Sequence, residues 1–201
     1  YIVKHLDLYK PVTIRGPVTR DNITLNVIPI GEDLGGIKDA DLIECHKRKI
    51  ICEWLRDTDG KVIVYSNTIE RVESLCGYLR KKGFAADYFH GKCEDKPERL
   101  RRFREGETRI MVATNAFGLG VNIPDIRLVI HHAPLVGLDD YLQGVGRAGR
   151  DGKKSKALLL WHPYDFTINR SLIRKNQLGL TGKELRDRLG ALDALEQYAK
   201  D

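Results

Sequence analysis

The chain has 201 residues, of which 42% are hydrophobic and 31% are charged, and its formal net charge is +6. A chain of this size buries roughly 70% of its extended-chain surface on folding, which removes the need for stabilising disulfides or metals, and the charge favours anionic partners only mildly. The composition excludes a disordered or collagen-like protein, and apolar stretches such as residues 157–161 are far shorter than the roughly 20 residues of a membrane span, so we expect a soluble protein.

The first predicted element is a strand at residues 22–28, where polar and apolar residues alternate. A glycine-rich loop follows it, and the apolar spacing over residues 39–56 predicts a helix. From residue 62 onward, short apolar runs alternate with helical patterns. The predicted strands of this part are 62–65, 85–89, 109–113, 128–131 and 157–160, and the predicted helices are 69–82, 97–105 and 138–143.

Continuous apolar strands that alternate with helices are typical of a parallel sheet covered on both faces. Ligands of such sheets bind at the loops that follow the carboxyl ends of the strands. Beyond residue 163 only helical patterns remain, at 164–175 and 183–200, and Thr181 with Glu184 forms a capping box at the start of the second. The sequence therefore predicts an α/β domain with a C-terminal helical appendage.

The cysteines and the first residue bear on the origin of the chain. Cys45, Cys52, Cys76 and Cys93 lack the Cys-x-x-Cys pairs of zinc sites, so we expect free thiols in a reducing compartment and no metal in this chain. A metal site or disulfides are the alternative. Because the chain begins at Tyr1 without a Met or a signal peptide, we expect it to be part of a longer protein.

The strongest functional pattern is QGVGRAGRDG at residues 143–152. Gln143, Arg147 and Arg150 would share one stripe if a helical turn continued through them. Guanidinium groups are always charged and present a rigid fork of donors, so two of them on one stripe suit a polyphosphate. The alternative is a glycine-rich surface turn with solvated arginines.

A second pattern, ATNAFGLGVNIPD, follows a predicted strand directly at residues 113–125. Small and hydroxyl-bearing residues at the carboxyl end of a strand expose backbone N–H groups and short donors that suit phosphates. Thr114 and Asn115 are therefore candidate contacts to a nucleic-acid backbone. The alternative is that they only cap the following turn.

Two further loops follow strands in the same way. Ser66 and Asn67 precede a predicted helix, and Asn67 with Glu70 looks like an N-cap and its N3 acid, an arrangement that leaves the helix N-terminus facing any anion there. His90 begins a weaker version of this arrangement, more often a plain loop. The cations of the next helix are expected to form a solvated face rather than a DNA contact: Lys96, Arg99, Arg101, Arg102 and Arg104.

The chain contains no G-x-x-x-x-G-K-[ST] phosphate loop and no Asp-Glu pair after a strand to hold magnesium. It therefore offers arginines for a nucleotide without a primary nucleotide-binding cradle.

Together these motifs resemble those of the RecQ family of superfamily-two DNA helicases. Residues 143–152 look like motif VI, 114–125 like motif V, 62–67 like motif IV, 88–91 like the Tyr-His-Ala-Gly element and 20–23 like the start of the second motor domain. The order Gln-x-x-Gly-Arg-Ala-Gly-Arg-Asp-Gly is closer to RecQ than to DEAD-box proteins. Gly144 departs from the family, where many members have Glu.

The resemblance implies that residues 18–165 form the second RecA-like domain of an ATP-dependent 3′–5′ DNA helicase. Residues 1–17 are then a connecting segment, and 166–201 the helical start of a zinc-binding-like subdomain. Arg150 matches the arginine finger that reaches the γ-phosphate of ATP, with Arg147 beside it, and such a finger is worth about 10³ to 10⁵ in rate. The other implied ATP contacts are Gln143, Gly118, Gly120 and Asn122, and the implied DNA contacts are Ser66, Asn67, Thr114, Asn115 and His90.

The family also implies partners. ATP and Mg²⁺ are expected to bind mainly to a first RecA-like domain of the same protein, so the fragment alone should be inactive. Single-stranded and branched DNA are the expected substrates, in DNA repair and recombination, in a eukaryotic nucleus or in a bacterial cytoplasm and nucleoid. Zinc is possible in the full-length protein but not from this chain, because no cysteine follows Cys93. A non-catalytic nucleic-acid-binding or regulatory module and an RNA-directed helicase remain the alternatives.

Overall fold

The computed structural model describes residues 20–31, 39–118, 122–175 and 181–201, so the predicted connecting segment at 1–17 lies outside the described residues. The strands are β1 (Ile23–Pro29), β2 (Lys61–Tyr65), β3 (Ala86–Phe89), β4 (Ile110–Ala113), β5 (Ile126–His131) and β6 (Ser155–Trp161). The helices are α1 (Ala40–Arg56), α2 (Ile69–Lys81), α3 (Lys96–Glu105), α4 (Leu138–Val145), α5 (Pro163–Lys175) and α6 (Gly182–Lys200), and a 3₁₀ turn covers Asn115–Gly118.

These strands form one parallel sheet in the order β1-β6-β5-β2-β4-β3, which confirms the predicted architecture. Strand β2 lies inside the sheet, where Val64 is aligned with Val112 of β4 and with Ile130 of β5. The carboxyl ends of β2, β4 and β5 are therefore neighbours. The loops that begin at residues 66, 114 and 132 meet at one edge.

Side chains alternate between two covered faces of the sheet, as expected for strands that are apolar throughout. On one face, Val62 and Val64 pack with Leu55 of α1 and Leu75 of α2. On the other face, Ile63 packs with aromatic side chains of α3 and of the 3₁₀ turn. Burial of each such side chain contributes about 1.5–3 kcal/mol relative to exposure.

The C-terminal helices share a core cluster with the sheet. Leu159 of β6 lies in one cluster with Phe166 of α5 and with Leu192 and Leu195 of α6. Helix α6 begins with the predicted capping box, in which the hydroxyl of Thr181 accepts from a backbone N–H and the Glu184 carboxylate accepts from the Thr181 N–H. The appendage therefore packs on the sheet rather than standing apart from it.

One predicted helix cap is wrong. Helix α2 begins at Ile69, so its N-cap is Thr68, whose hydroxyl accepts from the Arg71 N–H at 3.3 Å. Asn67 lies one residue too early for this role. Its amide instead donates to the carbonyl oxygen of Pro134 and to the side chain of Asn169, and so ties two loops together.

The solvated face predicted for α3 holds for only part of the helix. Arg101 pairs with Glu98 at its surface. Arg99 and Arg102, in contrast, both pair with Asp87 of β3, which is only 1% exposed. A buried carboxylate needs positive partners, and these two arginines supply them from the neighbouring helix.

Candidate functional site

A groove of about 400 Å³ lies at the edge where β2 and β4 end. Ser66, Asn67, Thr114 and Asn115 all line it, so the structure brings together four of the five predicted DNA contacts. The two loops are held by sheet-like hydrogen bonds, in which the Ser66 N–H donates to the Ala113 carbonyl at 2.9 Å. The opposite wall is contributed mainly by the C-terminal helices and the loop before α4: Leu135, Val136, Asn169, Leu172, Ile173 and Arg188.

The four polar residues differ in how they are presented to the groove. Thr114 is half-buried and Asn115 is exposed in the 3₁₀ turn. Ser66 is 1% exposed. The Asn67 amide already donates to Pro134 and Asn169, at 3.1 and 3.2 Å, so both of its hydrogens are used within the protein. Thr114 and Asn115 therefore present the most accessible polar side chains of the four.

His90, the fifth predicted contact, lies elsewhere. Its ring is stacked on Tyr88 with the centroids 5.3 Å apart, and its Nε2 is 3.1 Å from a carboxylate oxygen of Glu73. The residue is only 4% exposed and faces a separate polar depression beyond β3 that Lys92 also lines. The structure does not bring His90 to the groove.

Arg147 lies beside a small hollow that adjoins the groove, and Arg150 is close enough to feel its charge. Helix α4 ends at Val145, so the segment that carries Arg147 and Arg150 continues as turns rather than as the predicted helical stripe. Arg147 and Gln143 nevertheless line one small hollow, together with Asn115. Asn115 therefore borders both the groove and the hollow.

Positive charge is concentrated at these arginines. Burial and the nearby charges of Arg147 and Arg20 lower the pKa of the Arg150 guanidinium from its ordinary value. Burial raises the pKa of Tyr65 to about 12, although the positive charges of Arg147 and Arg150 oppose that rise. An anion bound here would relieve the repulsion among the guanidinium groups, which is what a polyphosphate site requires.

The remaining predicted nucleotide contacts are placed as follows. Asn122 is exposed, and its side-chain oxygen accepts from Nη1 of Arg150 at 3.1 Å, which fixes the direction of the guanidinium. Gly118 ends the 3₁₀ turn after β4. Gly120 lies outside the described residues.

Sequence reasoning missed two residues that hold the arginine segment in place. Arg20 donates to the carbonyl oxygens of Ala148 and Gly149, at 3.0 and 2.8 Å, and Asn22 donates to Gly149 at 2.8 Å. Gly149 has a positive φ of 52°, and a Cβ there would lie 2.5 Å from the Asn22 amide. The RecQ-like pattern at residues 20–23 was the available signal, but by itself it indicated no contact.

Within the described ranges, no cluster of three or more His, Cys, Asp or Glu side chains could hold a metal ion. All four cysteines are unpaired thiols. None of the helices in the described part of the chain combines the length and apolar character needed to cross a bilayer.

The chain is similar in sequence to known helicases. Residues 46–152 match the family described as helicase conserved C-terminal domain. The chain is 31% identical over 179 residues to the ATP-dependent DNA helicase RecQ of Bacillus subtilis, covering 88% of the chain and 28% of that protein. It is 34% identical over 174 residues to the bifunctional 3′-5′ exonuclease/ATP-dependent helicase WRN of Mus musculus, covering 86% of the chain and 12% of that protein.

A solved structure supports the fold. The Escherichia coli DEAD-box protein SrmB, in complex with the regulator of ribonuclease activity A, superimposes with a TM-score of 0.57 at 25% identity, over 71% of this chain and 77% of that one. The chain thus spans well under half of the RecQ and WRN relatives it matches. Because the family match covers more than half of its residues, the chain belongs to the helicase conserved C-terminal domain family, with relatives of the RecQ type.

Proposed function

We propose that this chain is the C-terminal motor domain of an ATP-dependent 3′–5′ DNA helicase. The observation that carries the proposal is the position of Asn115, which borders both the groove with its polar loops and the hollow beside Arg147. A phosphate-binding groove and a nucleotide-facing arginine that share a wall can influence each other through small movements of one loop. Such adjacency is what coupling of ATP hydrolysis to strand movement needs.

In this proposal Arg150 is the arginine finger and Arg147 lies beside it. The finger stabilises negative charge that develops on the transferring phosphoryl group, so its guanidinium must be held in a defined position and direction. The hydrogen bond from Arg150 to the side chain of Asn122 orients this guanidinium. Gln143 lines the hollow beside Arg147 and is proposed, with Gly118, as a further ATP contact. The phosphate loop and Mg²⁺ ligands belong to a first RecA-like domain of the complete protein.

The groove holds the nucleic-acid strand while ATP is bound and hydrolysed. Thr114, Asn115 and Ser66 contact the phosphates of a single strand, and closure of the two motor domains around ATP moves these contacts relative to those of the other domain. Phosphate contacts hold a strand without selecting its sequence, as a translocating motor requires. Branched DNA is the proposed substrate of the complete protein.

Residues 166–201, which include most of α5 and all of α6, are proposed to begin the zinc-binding-like subdomain, whose zinc ligands lie elsewhere in the complete protein. Arg170 of α5 pairs with Asp193 of α6 at 2.6 Å and also with Glu196, so the hairpin is a formed unit. In this proposal it also forms the far wall of the strand groove.

The test is nucleic-acid-stimulated ATP turnover by the complete protein, compared with single-stranded DNA, single-stranded RNA and no polymer. The proposal predicts strong stimulation by DNA and 3′–5′ unwinding of a tailed duplex. Equal or greater stimulation by RNA would indicate an RNA-directed helicase. Absence of turnover with every polymer would indicate a non-catalytic binding module and would overturn the proposal.

A further inference from the structure

A hydroxyl, an imidazole and a carboxylate are lined up behind the groove. The Ser66 Oγ lies 3.3 Å from Nδ1 of His132, and Nε2 of His132 lies 2.9 Å from Oε2 of Glu44. The other oxygen of Glu44 accepts from Nε of Arg48 at 2.7 Å. Ser66 and His132 are 1% and 0% exposed, so these contacts are shielded from water. Three separate segments contribute these groups: the ends of β2 and β5, and helix α1.

The charge on Glu44 sets the direction of the hydrogens. Burial would raise the pKa of Glu44, but the contact with His132 and the ion pair with Arg48 outweigh burial and bring the pKa to about 2. An ionised carboxylate only accepts hydrogen bonds, so Nε2 of His132 carries a hydrogen. In the neutral imidazole Nδ1 is then an acceptor, and the Ser66 hydroxyl donates to it. In that state the serine hydrogen is not available to a ligand.

A second proton on His132 reverses the hydrogen bond to Ser66. In the imidazolium both ring nitrogens are donors, so Nδ1 donates to the Ser66 Oγ. The hydroxyl hydrogen is then free to donate to an oxygen in the groove. Phosphate oxygens only accept hydrogen bonds at neutral pH, so only this second state offers them the Ser66 hydroxyl as a donor.

The charges around His132 keep this equilibrium sensitive to an anion. Burial lowers the pKa of His132, Glu44 of α1 opposes that change, and Lys47 of α1 and Arg71 of α2 add to it. The charge of Lys47 is itself paired with Asp165 of α5 at 2.6 Å. Without a ligand the neutral imidazole is therefore favoured. A phosphate beside Ser66 adds negative charge and so favours the imidazolium.

We propose that His132 and Glu44 are positioning residues that turn the Ser66 hydroxyl into a phosphate donor when a strand enters the groove, so that strand binding is accompanied by proton uptake at His132. The inference rests on the proposed function, because it takes the ligand of the groove to be a nucleic-acid backbone. The direction of the pH dependence follows from the linkage between proton uptake and strand binding. The affinity for the strand falls as pH rises through the pKa of His132 in the complex.

The experiment measures the affinity of the complete protein for a single-stranded oligodeoxynucleotide at pH 6 and pH 8, at one ionic strength. Calorimetry in two buffers of different ionisation enthalpy counts the protons taken up. We expect about fivefold tighter binding at pH 6, the size of one added hydrogen bond, with proton uptake. His132→Gln should remove this pH dependence, and Ser66→Ala, which leaves the imidazole in place, should reduce it by removing the hydroxyl that the imidazolium turns towards the phosphate.

His46→Gln is the matched control, because His46 is also on α1 and its Nδ1 contacts only its own helix at the Leu42 carbonyl, 2.8 Å away. It should keep the full pH dependence. Binding without proton uptake in the unaltered protein, or unchanged uptake in Ser66→Ala, would overturn the inference and leave the proposed function standing. Failure of the folded protein to bind the strand at any pH would overturn both, with circular dichroism reporting the fold.

Discussion

At the scale of single residues, the site depends on close approaches that only particular side chains allow. Gly144 of α4 lies against His131, whose ring is stacked on Tyr65 and packed edge-on against Tyr141. Because Gly144 has no Cβ, α4 can approach the sheet closely at this point. The small residue at position 144 is therefore matched to the buried ring of His131.

Gly144→Ala should destabilise the fold. The added Cβ would lie 2.5 Å from Nε2 of His131, a ring that its two aromatic neighbours prevent from moving away. Overpacking of this kind costs about 1–3 kcal/mol and should lower the Tm by roughly 5 °C. Gly190→Ala in α6 is the control, because a Cβ there has open space and a helical alanine is favoured by up to about 1 kcal/mol. Equal Tm values for the two variants would contradict this packing.

His131 should make the fold sensitive to mild acid. Burial lowers its pKa to about 3, and neither ring nitrogen has a hydrogen-bond partner within the described ranges. Between pH 6.5 and 3 the unfolded chain binds a proton that the folded chain does not, so stability falls as pH falls through this window. From this residue alone, urea unfolding at pH 5 should show a loss of about 2 kcal/mol relative to pH 7.5.

His131→Leu should show a smaller difference between the two pH values than the unaltered chain. The readout is that difference, so a uniform change in stability of the variant does not affect it. Glu44 does not confuse the result, because its lowered pKa places its loss of stabilisation below about pH 4.5. An identical pH dependence in both proteins would show that burial does not lower the pKa of His131.

At the scale of elements, the apolar pattern predicted which strands and helices form. It was less accurate at their ends, where charged residues interrupt the pattern. Strand β5 begins at Ile126, two residues before the predicted start. The predicted strand starts too late because Arg127 interrupts the apolar run. Its side chain reaches out to pair with Asp151 and bonds the Ser155 hydroxyl. The apolar pattern does not reveal such a residue as part of the strand, because its charged end lies outside the core.

The ion pair between α1 and α5 is the element contact most open to a stability test. Lys47 and Asp165 lie 2.6 Å apart with side chains 2% and 6% exposed, and Asp165 also accepts from the His162 N–H. Lys47→Met should cost about 3–5 kcal/mol, because it leaves a buried carboxylate without its positive partner. The midpoint of urea unfolding measures the loss.

The double variant Lys47→Met/Asp165→Asn should be more stable than Lys47→Met alone, since it removes the uncompensated charge. The neutral amide oxygen can still accept from His162. A double variant that is less stable than the single one would show that the ion pair is not the source of the loss.

At the scale of the whole molecule, sequence reasoning predicted the sheet and the glycine-rich arginine segment, and the structure brings four of the five predicted DNA contacts to one groove. It did not predict the partners that arrive from distant segments. Glu44, His132 and Arg20 are ordinary polar residues in the sequence, and only the folded chain brings them to Ser66 or to the arginine loop. Such contacts depend on topology, which leaves no local spacing to detect.

In the proposed function, the Arg150 guanidinium completes an ATP site whose phosphate loop belongs to another domain. This role is tested most directly by DNA-stimulated ATP turnover of Arg150→Ala in the complete protein, beside Arg104→Ala, which removes an exposed arginine of α3. Arg150→Ala should lose about 10³-fold or more in kcat while single-strand affinity is retained, and Arg104→Ala should turn over ATP normally. Unchanged turnover in Arg150→Ala would contradict this role.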